Sequence, residues 1–311
     1  DFGPDGALYV SDWVKSWDGI GAGRIYRIFD PTMVDDPLVR ETARRLKQGF
    51  TNVAEQELGG LLGHPDQRVR QGAQFELADR GAEQVLISVL GSDADLLPRL
   101  HALWGLGQVV RRQTKNKTLQ STLMEALADR EPEIRGRAAE LAGELGLPVR
   151  PQLEQMLSDP SPRTRYFAAI ALSHIATDAS LEPIIGLLKE NNDTDPMLRH
   201  AGVLALTKIG SEDSGLLLQR ADHPSAAVRL AVLLALRRLN DPLVSRFLAD
   251  PDQRLPIEAA RAIYDTPIRE AWPILAQQLN TASLSEPILR PIHLHSGPCS
   301  TTTRCHTTPS L

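Results

Sequence analysis

The chain has 311 residues, of which 42% are hydrophobic and 5% aromatic, and its formal net charge is −5. That apolar content is ample for a large core, while basic residues spread along an acidic chain without forming a stripe argue against a nucleic acid partner. No apolar run approaches the roughly 18 residues of a membrane-spanning helix, and the two cysteines, Cys299 and Cys305, lie too near the end to staple the core.

The first 30 residues are predicted to form β structure. The stretch "PDG" predicts a turn with Gly6 at positive φ, and "ALYVSDW" at 7–13 alternates as a strand does. After a glycine-rich loop, "GRIYRI" at 23–28 supplies a second strand. Because two strands without sheet partners are not stable alone, we expect this hairpin to be the end of a larger β domain. Residues 31–50 are predicted to be a linker with a helical segment.

The chain then repeats itself with a period of 27 to 36 residues. Each block opens with Asp or His, carries Arg six residues later and a small Ala soon after it, and reaches Leu or a similar residue seven positions after the Arg. The seven blocks are "HPDQRVRQGAQFEL" (64–77), "DADLLPRLHALWGL" (93–106), "DREPEIRGRAAELA" (129–142), "DPSPRTRYFAAIAL" (159–172), "DTDPMLRHAGVLAL" (193–206), "HPSAAVRLAVLLAL" (223–236) and "DPDQRLPIEAARAI" (250–263). In the last block Pro256 replaces the Arg.

Shorter apolar segments lie between these blocks, such as "VLISVL" (85–90) and "LVSRFL" (243–248), with leucines or similar residues at i, i+3 and i+4. The unit is therefore a helix, a short Asp/Pro turn and a second helix, and one such pair buries its apolar stripe only against its neighbours. The sequence predicts an all-α fold, a right-handed α-solenoid of about seven pairs over residues 51–285, with a partial eighth pair from about residue 271.

The motif D-x-x-x-x-V/I-R-x-x-A, clearest in "DREPEIRGRA" and "DPSPRTRYFA", resembles HEAT repeats. The resemblance implies that Asp and Arg side chains form a hydrogen-bonded ladder between neighbouring repeats. The ladder residues would be Asp93, Asp129, Asp159, Asp193, Arg70, Arg99, Arg135, Arg165, Arg199 and Arg229. His64 and His223 stand where Asp is expected, so we interpret them as caps and expect the ladder to weaken there. His101, His174 and His200 are interpreted as satisfied or solvent-facing side chains rather than metal ligands.

The opening "FGPDGALYVSDW" (2–13) followed by "GRIYRI" resembles the last blade of the six-bladed propellers of quinoprotein-type dehydrogenases, the glucose and sorbosone dehydrogenase-like group. A propeller end followed by HEAT repeats also resembles the large membrane-bound dehydrogenase-type proteins of planctomycetes and verrucomicrobia, which usually continue into a cytochrome-c-like haem domain. This resemblance implies that the chain is a fragment of a longer protein. It also implies a parent enzyme that uses quinone and haem c, with a periplasmic or cell-envelope location.

The tail 286–311 is rich in Thr, Pro, Ser and His, and is predicted to be irregular or disordered, with a frameshifted end as the alternative. Cys305-His306 resembles the end of a haem-attachment motif, but that motif needs two residues between its cysteines, whereas five separate Cys299 from Cys305. Zinc ligation by these residues with His293 or His295 matches no known ligand spacing. We therefore predict no catalytic, cofactor or metal residue in this chain.

Three functions, from different classes, remain. The first is a non-catalytic spacer of an oxidoreductase, which positions a propeller relative to an electron-accepting haem domain or a partner protein. The second is an independent scaffold that grips another protein with its second helices, and a third is a HEAT-type bilin lyase. The strands at the front favour the first, while the substrate of any parent enzyme and the face that binds a partner stay open.

Overall fold

The computed structural model describes residues 1–13, 23–112 and 117–278. The glycine-rich loop of the hairpin lies outside the described residues. So do the end of the predicted repeat region, after residue 278, and the tail 286–311 with its cysteines and histidines, which carried the zinc and haem alternatives.

The first element is a two-stranded antiparallel hairpin. Strand β1 spans Leu8–Trp13 and β2 spans Gly23–Ile28, with the first residue of β1 opposite the last residue of β2. Gly6, at φ 72°, makes the predicted turn before β1. Every residue of β2 is exposed, and Ile25 keeps 75% of its surface open to solvent. The hairpin therefore presents apolar side chains that the described chain leaves uncovered.

Helices make up most of the remaining described chain. In chain order they are α1 (Pro37–Gln48), α2 (Glu55–Leu61), α3 (Gln67–Arg80), α4 (Glu83–Leu90), α5 (Leu96–Arg112), α6 (Lys117–Ala126), α7 (Pro132–Glu144), α8 (Arg150–Met156), α9 (Pro162–Ile175), α10 (Leu181–Asn191), α11 (Pro196–Gly210), α12 (Ser214–Leu218), α13 (Ala226–Arg238), α14 (Arg254–Asp265) and α15 (Trp272–Gln277). None of the described helices is long and apolar enough to cross a membrane.

Short 3-10 segments lie at Asp178–Ser180, Pro242–Ala249 and Arg269–Ala271. The second of them stands where the apolar spacing at 243–248 predicted an α-helix. It begins at Pro242 and ends before Pro251, and the residue that precedes a proline avoids the α region. Confined between two prolines, this first member of the seventh pair winds more tightly than the sequence predicted.

A short first helix alternates with a long second helix, as the repeat predicts. The chain divides into two compact units, residues 1–138 and 139–311. In the first unit α2 packs on α3, α4 packs on α5, and the long helices α3 and α5 pack on each other. In the second unit α8 packs on α9 and α10 on α11, while α9, α11, α13 and α14 pack in succession. The fold within each unit is therefore the expected α-solenoid stacking of helical pairs.

The second helices begin with the residues that helix N-termini favour. The side chains of Asp66, Ser161 and Asp195 each accept a backbone N–H of the first turn of α3, α9 and α11. Pro162 and Pro196 occupy the first position of α9 and α11, where a missing N–H costs nothing. The Asp/Pro and Ser/Pro turns thus end one helix and start the next within a few residues.

Small residues let the second helices approach closely. Each block has an alanine early in its second helix that is completely buried: Ala73, Ala102, Ala138, Ala168, Ala201, Ala231 and Ala259. Gly143 of α7 lies so near α9 that an added Cβ would stand 2.5 Å from the Ala171 Cα. The apolar position seven residues after each Arg is also buried, as at Leu172 and Leu206. The packing frame predicted from the sequence is confirmed.

Candidate functional site

The repeated arginines fasten the turn that precedes each second helix. In four repeats Nη1–H of the Arg donates to the carbonyl oxygen six positions earlier. The Nη1–O distances are 2.7 Å for Arg70 to His64, 2.8 Å for Arg135 to Asp129, 2.9 Å for Arg165 to Asp159 and 2.8 Å for Arg229 to His223. These bonds tie each second helix to the turn before it, since a partly buried carbonyl group needs a donor.

Arg229 and Arg99 also reach the acidic residue that opens the next repeat. Nε and Nη2 of Arg229 donate to Oδ2 and Oδ1 of Asp250 at 2.7 and 2.8 Å. In the first unit, Nη2 of Arg99 donates to Oδ2 of Asp129 at 2.5 Å, and its Nη1 donates to Oδ1 at 3.3 Å. Both pairs are two-pronged, the strong geometry for guanidinium and carboxylate. The Asp250 bonds also raise the pKa of Arg229.

Asp250 was missing from the predicted ladder residues, although the repeat frame contained it. The seventh block lacks its Arg, since Pro256 occupies that position, so the Asp–Arg motif is incomplete there. The frame was the available signal, because Asp250 lies six residues before Pro256.

Asp93 does not take the predicted place in the ladder. Its side chain is 97% exposed and meets Nη1 of Arg130 at 3.0 Å on the surface. In this turn Oγ of Ser92 accepts the backbone N–H of Ala94, two residues ahead, at 3.2 Å. Ser92 therefore does what the Asp does in other turns, and Asp93 is displaced outward by one position. Arg99 instead donates Nε–H to the Leu90 carbonyl at 2.8 Å.

Asp193 also departs from the predicted pattern. It lies at φ 62° and accepts from Arg199 of its own repeat and from Nη1 of Arg254 at 3.2 Å. The turn is closed by Asn191, whose Oδ1 accepts Asp195 N–H at 3.0 Å and whose Nδ2 donates to the Asp195 carbonyl at 2.9 Å. A longer turn thus moves the closing residue upstream. Among the described contacts, Arg165 and Asp193 do not form the hydrogen bond that the ladder predicts between their repeats.

His64 and His223 cap their turns as interpreted. Nδ1 of each ring accepts the backbone N–H two residues ahead, at 3.0 and 3.1 Å. This is the bond that Asp129 makes through Oδ1 to Glu131 at 2.8 Å. A carboxylate has a second oxygen for an arginine, whereas a neutral ring with Nδ1 engaged carries its proton on Nε2 and has no acceptor left. In His64 that Nε2 meets Oε2 of Glu41 at 2.8 Å.

His101 lies inside the first unit, only 3% exposed. Its Nε2 accepts from Nε of Arg70 at 3.1 Å, and its Nδ1 faces Oε1 of Gln74 at 2.7 Å. The ring meets Trp104 edge-on, with centroids 5.1 Å apart. Burial, and then the charge of Arg70, lower the pKa of His101 to about 4. It is a satisfied neutral side chain, as the sequence suggested, while His174 and His200 face solvent.

The second unit carries an open cavity of about 660 Å³ between α11, α13 and the end of α14. A neighbouring cavity of about 480 Å³ shares Arg199 and Leu234 with it, so the two form one surface, which we call the basic groove. The groove is lined by Arg199, His200, Val203, Leu230, Leu234, Arg237, Arg238, Arg254, Ile257, Glu258 and Arg261.

The arginines of the basic groove differ in how they are engaged. Arg237 donates to Oε1 of Glu258 at 2.6 Å and to Oδ2 of Asp265 at 3.2 Å. Arg254 binds Asp252 and lowers the pKa of that carboxyl to about 2. Arg238 is exposed and makes no hydrogen bond or ion pair with the described residues. Its guanidinium is therefore available to a ligand.

This groove was not predicted from the sequence. The basic residues Arg237 and Arg238 stand eight and nine positions after the repeated Arg229, where no other block carries two arginines. A comparison of that position across the blocks was the available signal. Within residues 1–13, 23–112 and 117–278, no group of three or more His, Cys, Asp or Glu side chains could hold a metal ion.

Residues 150–237 match the family model described as HEAT repeats. The match runs from α8 to α13 and contains Arg165, Arg199 and Arg229. It supports the HEAT repeat region that the motif spacing indicated. No curated protein matches this chain.

Solved structures resemble the chain at low identity. Protein YibA of Escherichia coli is 22% identical, with 78% of this chain and 92% of YibA covered and a TM-score of 0.48. The complex of CpcE and CpcF of phycocyanin lyase from a Nostoc species is 23% identical, with coverages of 68% and 92% and a TM-score of 0.40. An engineered protein is 17% identical, covers 76% of each chain and has a TM-score of 0.43.

Proposed function

We propose that this chain is a non-catalytic scaffold of HEAT-like repeats that holds partner polypeptides. The observation that carries the proposal is that the recurring polar residues of the repeat bind to the repeat's own turns and to neighbouring repeats. Arginine, Asp and His of successive blocks are engaged in closing turns and joining neighbouring repeats, as at Arg229, Asp250 and His223. A fold whose recurring charged groups fix its own geometry presents rigid helix faces, and these suit binding rather than chemistry.

Exposed apolar residues on the second helices support this function. Phe75 of α3 is 50% exposed and Trp104 of α5 is 38% exposed. Both stand five residues after their repeated Arg, so they share one face of their helices. Large apolar side chains at equivalent positions of neighbouring repeats form a surface for a partner polypeptide.

We further propose that the scaffold serves a parent dehydrogenase of the quinoprotein type and spaces its β domain from an electron-accepting haem domain or partner. The hairpin supports this more specific function, since β2 is exposed throughout and its apolar residues lack cover in the described chain. Quinone and haem c would be bound by other parts of that parent, in the periplasm or cell envelope. The alternative is an independent scaffold, whose hairpin meets a separate protein.

Site-specific photo-crosslinking in the native cell tests the scaffold. A photoreactive amino acid replaces Ile25 on the hairpin, Phe75 on the second-helix face, or Lys189 on the exposed side of α10 as a control. We expect polypeptide crosslinks from the first two positions and none from Lys189. Absence of polypeptide crosslinks at both test positions would contradict the scaffold. Crosslinks from Ile25 to β-strand segments of the same polypeptide would support the spacer, and crosslinks to a separate protein the independent scaffold.

The purified chain provides a second test of the spacer. We expect it to show no dye-linked oxidation of sugars with added quinone cofactor, and no haem absorbance. A bound haem spectrum would show that the electron-accepting group resides in this chain, and the spacer assignment would then be wrong.

A further inference from the structure

The basic groove crosses the second helices α11, α13 and α14 and has two chemically distinct parts. Its floor is apolar, with Val203 and Leu230 buried and Leu234 and Ile257 half-buried. Its rim is cationic, and Arg238, Arg254 and Arg261 are exposed there. An apolar floor under a charged rim favours a ligand with both aliphatic and anionic groups.

The charged residues of the groove determine whether it favours an anionic or a cationic ligand. Five arginines line the groove, and Glu258 is the one carboxylate among the described lining residues. Together with Glu258, three carboxylates from outside the lining engage every lining arginine except Arg238; these are Asp193, Asp252 and Asp265. Arg238 keeps its guanidinium donors unused within the described chain. A local excess of positive charge on a chain of net charge −5 is therefore complementary to an anionic segment.

We propose that the basic groove binds an extended acidic peptide of a partner protein, in which carboxylate side chains alternate with aliphatic ones. This inference rests on the proposed scaffold function and assigns its partner a chemistry. Alternate side chains of an extended peptide point to opposite sides. The aliphatic ones then rest on Leu230, Leu234 and Ile257, while a carboxylate meets the planar guanidinium of Arg238 in a two-pronged bond.

A peptide suits this groove better than a nucleic acid does. Single strands are held by aromatic side chains on which bases stack, and no Phe, Tyr or Trp stands among the described lining residues.

Fluorescence anisotropy with the full chain tests the proposal. The probe is a fluorescein-labelled peptide of about eight residues in which Glu and Leu alternate. A Lys/Leu peptide, a Glu/Ser peptide and a labelled oligothymidylate serve as comparisons. We expect the Glu/Leu peptide to bind tightest of the four. Arg238→Glu should weaken its binding roughly tenfold or more, because a paired cation becomes a repelling anion.

Lys189→Glu is the matched control. Lys189 is exposed on α10, outside the groove lining, and makes no ion pair with the described residues, so this variant changes the net charge by the same amount. We expect it to weaken binding about twofold at most, since surface charges at a distance are screened. Circular dichroism of both variants verifies that the helices are retained.

Three results would overturn the proposal: equal weakening by Arg238→Glu and Lys189→Glu, equal affinity for the Glu/Ser peptide, or tighter binding of the oligothymidylate. The crosslinking at Ile25 and Phe75 is scored separately, because neither residue lines the groove. If peptide specificity were lost while those crosslinks still formed, the proposal of an acidic partner would be wrong and the proposed scaffold function would be unaffected.

Discussion

His64 and His223 show how one residue type replaces another in a repeat at a defined cost. Each imidazole makes the same turn-closing bond as Asp129, from a backbone N–H two residues ahead. The ring nevertheless has a single acceptor nitrogen when neutral, so it closes the turn without receiving an arginine from the preceding repeat. The weakening of the ladder expected at these positions thus has a simple origin in the number of lone pairs.

His101 gives the first unit a measurable dependence on pH. Its pKa is about 4 in the folded chain and ordinarily 6.5, so the unfolded chain takes up the proton first. The stabilisation that this depressed pKa provides is fully present above about pH 6.5 and is lost as the pH falls toward 4, by about 3 kcal/mol in all. Urea unfolding at several pH values between 7.5 and 4.5 measures the loss.

The variant His101→Gln isolates this contribution. It has no group that titrates in the window, so its free energy of unfolding should fall less steeply with acid than that of the wild-type chain. The two curves are expected to converge as the pH decreases. Parallel curves would show that another group dominates the acid sensitivity.

The rung between Arg229 and Asp250 allows a double-mutant cycle. Arg229→Met leaves the carboxylate of Asp250, whose side chain is 5% exposed, without its guanidinium partner. We expect a loss of about 3 kcal/mol in the free energy of unfolding, and a smaller further loss when Asp250→Asn is added. Arg246→Met, at the exposed pair with Asp222, should cost less than about 1 kcal/mol. Equal losses at both pairs would show that the Arg229–Asp250 pair contributes no more to stability than an exposed ion pair.

At the scale of elements, the approach of two second helices depends on a missing side chain. Gly143 lies against the backbone of Ala171, and the added methyl of Gly143→Ala would overlap its Cα at 2.5 Å. Backbone atoms cannot swing aside as a flexible side chain does, so α7 and α9 must separate. We expect a loss of about 1–3 kcal/mol, measured as a lower midpoint in urea.

Gly186 provides the matched substitution. It lies in α10 with no atom within 4 Å of an added Cβ, so Gly186→Ala should stabilise the chain by about 0.5–1 kcal/mol through helix propensity alone. Opposite signs for the two variants would establish the close contact. If both variants raised the midpoint, the tight approach of α7 to α9 would be wrong.

The sequence predicted the helical pairs well because their signals are local. Apolar spacing, prolines and capping residues lie within one block, and the buried Ala and Leu positions repeat with the frame. The turns were harder, since their bonds depend on length. One extra turn residue at Ser92, or the longer loop after Asn191, moves the closing side chain and removes Asp93 and Asp193 from their expected partners.

On the scale of the whole molecule, the net charge does not show that positive charges cluster at one place on the surface. The net charge of −5 and the spread of basic residues argued against a nucleic acid partner, yet one groove gathers five arginines: Arg199, Arg237, Arg238, Arg254 and Arg261. These residues come from three helices, and the distances between them in sequence carry no visible pattern. A sum over the chain predicts solubility and long-range repulsion, whereas recognition depends on local fields.

The unpaired outer edge of β2 affects the tendency of this protein to self-associate, both in the cell and after purification. In the described chain β2 pairs only with β1, so the N–H and C=O groups on its other side are open templates for any extended segment. With Ile25 and Tyr26 exposed beside them, two such ribbons can join edge to edge. A partner that pairs with this edge of β2 would therefore prevent self-association. It would have to bind before two exposed hairpins meet during synthesis, so its association rate would matter as much as its affinity.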